Sequence, residues 1–432
     1  MHKKNTIGFF SFSFVFLLSI SSIGLWIERD QTVPLLLAFA TAFVSYLFLL
    51  QEKQSPNFLL GIGILARLSL FFSLPSLSDD IYRFIWDGLL VSNGIHPFSH
   101  LPDHFLHLKI EGLSSELYSK LNSPNYFTIY PPLNQFIFWM SVEFDSNWLT
   151  TTNVIRTLLL LAEIGSFLAL RKLLMIYNKS PNGAFWYFLN PLVILEIVGN
   201  VHMEGLVIFF LLAGLYFYKG NKNILSGIHL GLAIGTKLLP LIYLPYLFLK
   251  GLKNKKWSIP MIAGIVGLTS LLPLISPDFL SGMSESLNLY FQSFEFNASL
   301  YFIAREIGFL IYGYNNIALI GPLLASLSFL SIIAISLLAV RKKWSLPQSF
   351  LFILSIYLIF ATTVHPWYIL PLVVFGALSG YWYPIVWSGL IFLTYAGYSE
   401  NGFELPMFIV VMEYMILSLV ALIELRFRHV ND

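Results

Sequence analysis

The segment TIGFFSFSFVFLLSISSIGLWI, residues Thr6 to Ile27, contains no charged side chain. An α-helix needs about 20 such residues to cross the hydrocarbon core of a bilayer. The segment follows Met1-His2-Lys3-Lys4, which resembles the basic start of a signal peptide. It is too long for a signal peptide's apolar core and lacks a small-residue cleavage site, so it reads as a retained first span. Working outward, comparable runs recur at 33–50, 57–75, 153–171, 183–198, 203–218, 223–237, 238–250, 257–276, 315–340, 346–363, 366–380, 382–397 and 404–425. Several are short or interrupted by proline, as at Pro240, Pro245 and Pro366, which sets the expected number at about 11 to 14 spans. The expected fold is all-α, a polytopic transmembrane helical bundle forming a single integral membrane domain over 1–432.

Composition supports the same reading. The chain is 57% hydrophobic and 11% charged, where a soluble domain carries about 25% charged residues. The mean hydropathy is +0.74. A net charge of +2 gives no footprint for nucleic acid. With no cysteine in the chain, disulfides, thiolate metal sites and cysteine nucleophiles are excluded. There is no phosphate-binding Walker loop and no HExxH pair, and Gly61-Ile62-Gly63 lies in an apolar helix rather than after a strand.

Lys and Arg gather at Lys3-Lys4, Lys53, Arg171-Lys172, Lys219 to Lys222, Lys250 to Lys256, Arg341-Lys342-Lys343 and Arg426 to Arg428. Cytoplasmic loops are enriched in these residues, and an even number of expected crossings separates each cluster from the next. Both termini are then expected in the cytoplasm. The segments 76–152 and 277–314, and the turns near Gly199–Glu204, His365-Pro366-Trp367 and Ser399–Glu404, are expected outside. In the 76–152 loop, Ile81, Phe84, Ile85, Trp86, Leu89 and Leu90 recur at helical spacing, which predicts an amphipathic helix on the membrane surface. A second short helix is expected after Tyr130-Pro131-Pro132.

Polar residues that solubility does not explain gather in these outer segments. Ser78-Asp79-Asp80 precedes Arg83, Trp86 and Asp87. One Asp would suffice to cap a helix; two adjacent carboxylates at a bilayer edge suggest a general base for an acceptor hydroxyl. Arg83 is placed to pair with either Asp or with an anionic ligand, and Trp86 reads by default as an interfacial anchor. Asn200, His202 and Glu204 open a span, either as a capped helix start or as sugar and phosphate contacts. A metal site through His202 and Glu204 is a weaker alternative. Lys237, after Thr236, either snorkels or binds a phosphate. Glu295 and Asn297, followed by Arg305, suit sugar hydroxyls or an interfacial helix, and His365 precedes Trp367 and Tyr368 at a proline-broken turn.

The stretch Ser78–Gly88, continuing to Asn93-Gly94-Ile95-His96-Pro97-Phe98, resembles the "SDDxYRYxWDGxxxxxGINPY" signature of the GT-C superfamily of integral membrane glycosyltransferases. The branch resembled is that of bacterial mannosyltransferases dependent on polyprenol-phosphate mannose. Thr128-Ile129-Tyr130-Pro131-Pro132-Leu133-Asn134-Gln135 is similar to that branch's "xIYPPLxQ", and the later motifs follow in the family's order to about residue 370. His96 and Phe98 depart from the common Asn and Tyr. The resemblance implies an inverting hexosyltransferase, most simply for mannose, working on the extracytoplasmic side of a bacterial plasma (inner) membrane. It implies a polyprenyl-phosphate sugar donor, a glycolipid or glycan acceptor, and membrane lipids as surroundings. By the same resemblance Asp80 or Asp79 is the base, with Asp80 favoured for its spacing to Arg83, and His365 assists. Arg83, Trp86, Asp87, Tyr130, Asn134, Gln135, Asn200, His202, Glu204, Lys237, Glu295, Asn297, Arg305, Trp367 and Tyr368 are the expected substrate contacts. A phosphate leaves without protonation, so one carboxylate can suffice; a divalent metal is optional on this logic, and no cofactor is expected. The competing reading is a transporter or flippase of lipid-linked sugars.

Overall fold

The computed structural model describes residues 6–51, 55–145, 147–272, 294–400 and 402–429. It is an all-α bundle. Among the described residues, strand pairing is confined to a two-residue hairpin, Tyr398–Ser399 with Gly402–Phe403, and one bridge between Phe296 and Thr363. Four described helices are long and apolar enough to cross a membrane: Gly8–Leu25, Thr32–Gln51, Ile317–Arg341 and Met407–Phe427. A fifth is added if Pro191–Gly199 and Glu204–Lys219 are counted as one broken span. Other expected spans, such as 223–237, 257–276 and 346–363, contain shorter apolar helices: Asn223–Thr236, Ser258–Thr269 and Leu346–Phe360. Proline explains much of the interruption, because it removes a backbone donor and restricts the residue before it. The run 238–250 is a 3₁₀ turn, Leu239–Tyr243, leading into the helix Leu244–Asn254. The expected loop 277–314 is described only from residue 294 onward.

The chain forms two compact units. The first comprises Met1–Ser78, Leu159–His202 and Pro366–Asp432; the second comprises Asp79–Leu158 and Met203–His365. In the first, Thr6–Leu25 packs on Thr32–Gln51, and the Phe39 and Phe392 rings stack at 3.6 Å. The Tyr46 hydroxyl donates to the Trp186 carbonyl at 2.7 Å, and the Trp387 indole donates to Glu413 at 2.9 Å. Arg67 and Glu163, each lone in an apolar run, form a bidentate pair at 2.8 and 2.7 Å.

In the second unit, Glu204–Lys219, Asn223–Thr236 and Ser258–Thr269 pack closely through glycine. A Cβ on Gly227 would fall 2.7 Å from Ile262, and one on Gly231 2.5 Å from Val266. Small residues permit such close helix approach inside a membrane, where packing rather than water drives association. The two helices expected in the 76–152 loop are present as Asp80–Ser92 and Pro132–Phe144. They pack together at Gly88, where a Cβ would lie 2.5 Å from the Phe138 carbonyl oxygen. The surface-helix expectation is corrected in one respect. The apolar positions named by spacing are buried, Leu89 apart, but so are Arg83 and Asp87, so this helix is enclosed on nearly every side.

Candidate active site

The two clearest motifs meet at Asp80. Its carboxylate accepts from the Asn122 amide at 2.7 Å and from the Tyr130 hydroxyl at 3.1 Å. Asp79 occupies the N-cap position of the Asp80–Ser92 helix, yet its side chain makes no capping hydrogen bond. The capping explanation for the Asp pair therefore fails at the residue best placed to satisfy it. Arg83 does not serve as the partner expected for these carboxylates. It is buried, pairs with Asp87 at 2.9 Å one turn on, and donates to the Ser123 and Tyr126 carbonyls at 3.2 and 3.0 Å. Asp87 also accepts from the Gln135 amide at 2.9 Å, and Gln135 donates to Thr128 and to the Tyr130 carbonyl. These contacts lock the 123–130 segment between the two helices, so Arg83, Asp87 and Gln135 hold the loop that presents Tyr130.

Trp86 also departs from expectation. It is fully buried beside Tyr118 rather than anchored at an interface. The two departures from the signature, His96 and Phe98, contact each other: the Phe98 backbone N–H donates to His96 Nδ1 at 3.3 Å.

Asn134 carries the site toward the next motif, its amide donating to the Thr236 carbonyl at 3.0 Å. The following residue, Lys237, is hydrogen-bonded to Glu204, which opens its own helix. Lys237 is 31% exposed and Glu204 4%. A cation at the end of a helix in an apolar unit is costly without a partner, and Glu204 supplies one.

The motifs around Glu295 and His365, about seventy residues apart, are joined by backbone. Phe296 N–H donates to the Thr362 carbonyl at 3.0 Å and Val364 N–H to the Phe296 carbonyl at 2.8 Å. The Phe296 and His365 rings lie 4.3 Å apart. Asn297 is buried in the left-handed region at φ 43°, which Asn tolerates better than most residues. Glu295 accepts from Arg305 at 2.6 Å, Tyr301 at 2.5 Å and Asn315 at 3.1 Å, while Arg305 also pairs with Glu306 at 2.9 Å. Burial, followed by the Glu295 charge, pushes the Tyr301 phenol above its usual range, so it remains a hydrogen-bond donor.

In the first unit, a second polar cluster surrounds a residue that motif reading missed. Glu196 is fully buried and accepts from Tyr395 at 2.7 Å and Asn200 at 3.0 Å; His202 Nδ1 lies 3.1 Å from it. The His202 ring stacks on Trp367 at 3.8 Å, and Tyr368 sits edge-on to Trp367 in the turn Pro366–Ile369. Asn200 is thus not the N-cap of the helix Glu204–Lys219, a position Met203 holds. Glu196 was detectable as a lone carboxylate in the apolar run Pro191-Leu192-Val193-Ile194-Leu195, since intramembrane ionisable residues are functional candidates by default. Tyr395 and Asn122 carry no comparable signal.

Among the described residues, no three His, Asp or Glu side chains are grouped to hold a metal ion. Residues 24–252, more than half of the chain, match the sequence profile of a family described as alpha-(1->6)-mannopyranosyltransferase, N-terminal domain. No curated protein matches the chain.

Proposed function

Because the chain belongs to the alpha-(1->6)-mannopyranosyltransferase family of GT-C type, we propose that this integral membrane mannosyltransferase takes mannose from a polyprenyl-phosphate donor and inverts the anomeric centre. The acceptor is a glycolipid or glycan, and the reaction faces the extracytoplasmic side of a bacterial plasma membrane, with both termini in the cytoplasm. The observation that carries this reading is the meeting of the two clearest motifs at one carboxylate, Asp80, held by Asn122 and Tyr130.

The chemistry follows from the parts. An acceptor hydroxyl needs a positioned base to take its proton as the new glycosidic bond forms. Asp80 is that base, oriented by its two donors; Asp79 is the alternative beside it. The bond from the anomeric carbon to phosphate breaks on the opposite face, and the departing phosphate needs positive charge rather than a proton. Lys237, paired with Glu204 and 31% exposed, is better suited to that role than Arg305, which is 17% exposed and paired with Glu295 and Glu306. His365, whose ring lies 4.3 Å from that of Phe296, is the group that assists the base or the departing phosphate.

Purified Asp80→Asn and Asp79→Asn, assayed with polyprenyl-phosphate mannose, test the assignment. Loss of a general base is expected to cost about 100- to 10,000-fold in kcat, falling on one of the two. Wild-type rates in both variants would remove the base from this loop.

A further inference from the structure

We propose that Glu196 is a positioning residue for mannosyl transfer, holding His202 and Asn200 in place; this rests on the transfer reading above. None of the motifs includes Glu196, and the mechanism as stated does not use it. Yet it is a fully buried carboxylate in an apolar segment, which is costly unless its oxygens are satisfied. Its partners are a phenol, an amide and an imidazole: Tyr395 on Oε1, Asn200 and His202 on Oε2. Glu163 in the same unit is balanced by an arginine that is itself fully buried.

The backbone is bent to build this set. Ile194–Gly199 forms a π-helical turn, a local widening found often at functional sites. Val201 then takes φ 56°, the left-handed region, which a β-branched residue enters only when its surroundings enforce it. The distortion returns Asn200 and His202 to the same carboxylate, and the His202 N–H closes on the Glu196 carbonyl at 3.1 Å.

Two outputs leave the cluster. Glu196 Oε2 lies 3.1 Å from Nδ1 of His202, whose ring lies on Trp367. Asn200 Oδ1 accepts from the Leu77 N–H at 3.4 Å, two residues before Asp79 in the chain. Glu196 therefore acts through others on a motif residue, His202, and on the Leu77 backbone.

The test is a double-mutant cycle in the full-length protein with polyprenyl-phosphate mannose. Glu196→Gln is expected to lower kcat by about tenfold or more with KM for the donor unchanged, the mark of an interaction felt in the transition state. The losses in the Glu196→Gln, His202→Gln double variant should combine to less than their product, because the two substitutions share the His202 interaction while the Asn200 output is lost only with Glu196. Tyr395→Phe, which deletes one hydroxyl and keeps the shape, should lose about threefold in kcat and be equally non-additive with His202→Gln. It keeps the cycle informative if Glu196→Gln does not fold. Separately, the emission assigned to Trp367 by subtracting the Trp367→Phe spectrum should change in Glu196→Gln without any sugar present. Independent, multiplying losses, or a silent Glu196→Gln in both measurements, would overturn the proposal. An inactive wild type with an intact Trp367 response would overturn the transfer reading, and Glu196's part in it, while leaving the network in place.

Discussion

Arg67–Glu163 in the first unit and Lys237–Glu204 in the second meet the same electrostatic problem in different ways. Arg67 uses two nitrogens on Glu163 and spends its remaining donation on the Gly63 and Phe188 carbonyls, with the Phe188 ring under its guanidinium at 4.0 Å. Both side chains have zero exposure. Such a pair is saturated and sealed, leaving a ligand nothing to bind. Lys237 is a point charge with three donors, about a third exposed, on a carboxylate that opens a helix. That pair is open on the lysine side. Burial of an ion pair is therefore no guide to function by itself; what separates scaffold from site is whether a charged group keeps a face toward solvent or substrate.

The largest effect is expected from breaking the sealed pair. Arg67→Ala leaves Glu163 buried without its counter-charge, at a cost of about 3–5 kcal/mol. Net stabilities are about 5–15 kcal/mol, so yield and the thermal midpoint in detergent should fall sharply. Transfer per surviving folded molecule should stay near wild type. Replacing both partners with apolar residues of similar volume, Arg67→Met with Glu163→Leu, should recover most of the loss. A stable Arg67→Ala with lost transfer would reverse the assignment of the two pairs.

A smaller effect, and one on rate rather than fold, is expected from the open pair. Lys237→Gln should slow transfer by about tenfold to a hundredfold, because charge developing on the phosphate loses one cationic partner. Its cost in stability should stay within about 1 kcal/mol, as for other partly exposed pairs. Lys237→Arg should restore part of the rate. Should Lys237→Gln instead unfold the protein while the surviving fraction turns over normally, this pair too is scaffold.

What could be read in the sequence follows the same division. The apolar runs identify an all-helical membrane protein because a span needs length and hydrophobicity, both visible residue by residue. Their continuity is less visible: whether Pro191 or Pro240 starts a helix, kinks one or ends one depends on which carbonyls find partners in the folded chain. At the site, Asp80, Tyr130 and Asn134 were legible because they stand in contiguous motifs. Their pairings were not. Spacing offered Arg83 to Asp79, Asp80 or an anionic ligand; its pairing with Asp87 comes with the Ser123 and Tyr126 carbonyls, which only tertiary packing brings within reach. Gly88 reads as part of a signature, but its requirement is steric, set by a carbonyl fifty residues away. Glu196 was visible as an anomaly and Tyr395 was not, because a tyrosine in an apolar run is ordinary until its hydroxyl finds a carboxylate.

The smallest effect is expected from chelation. Phosphate is a competent leaving group without protonation, so the charge it develops has to be met by a cation of some kind. A bound divalent ion would meet it as a Lewis acid and would make the rate depend on the free ion concentration. On the proposed assignment Lys237, hydrogen-bonded to Glu204, meets it from the chain itself. Transfer by the wild type should then be unchanged by EDTA and by later addition of magnesium or manganese. Activity lost in EDTA and restored by either ion would assign the work of neutralisation to a metal. Lys237–Glu204 would then join Arg67–Glu163 as a pair that holds the fold.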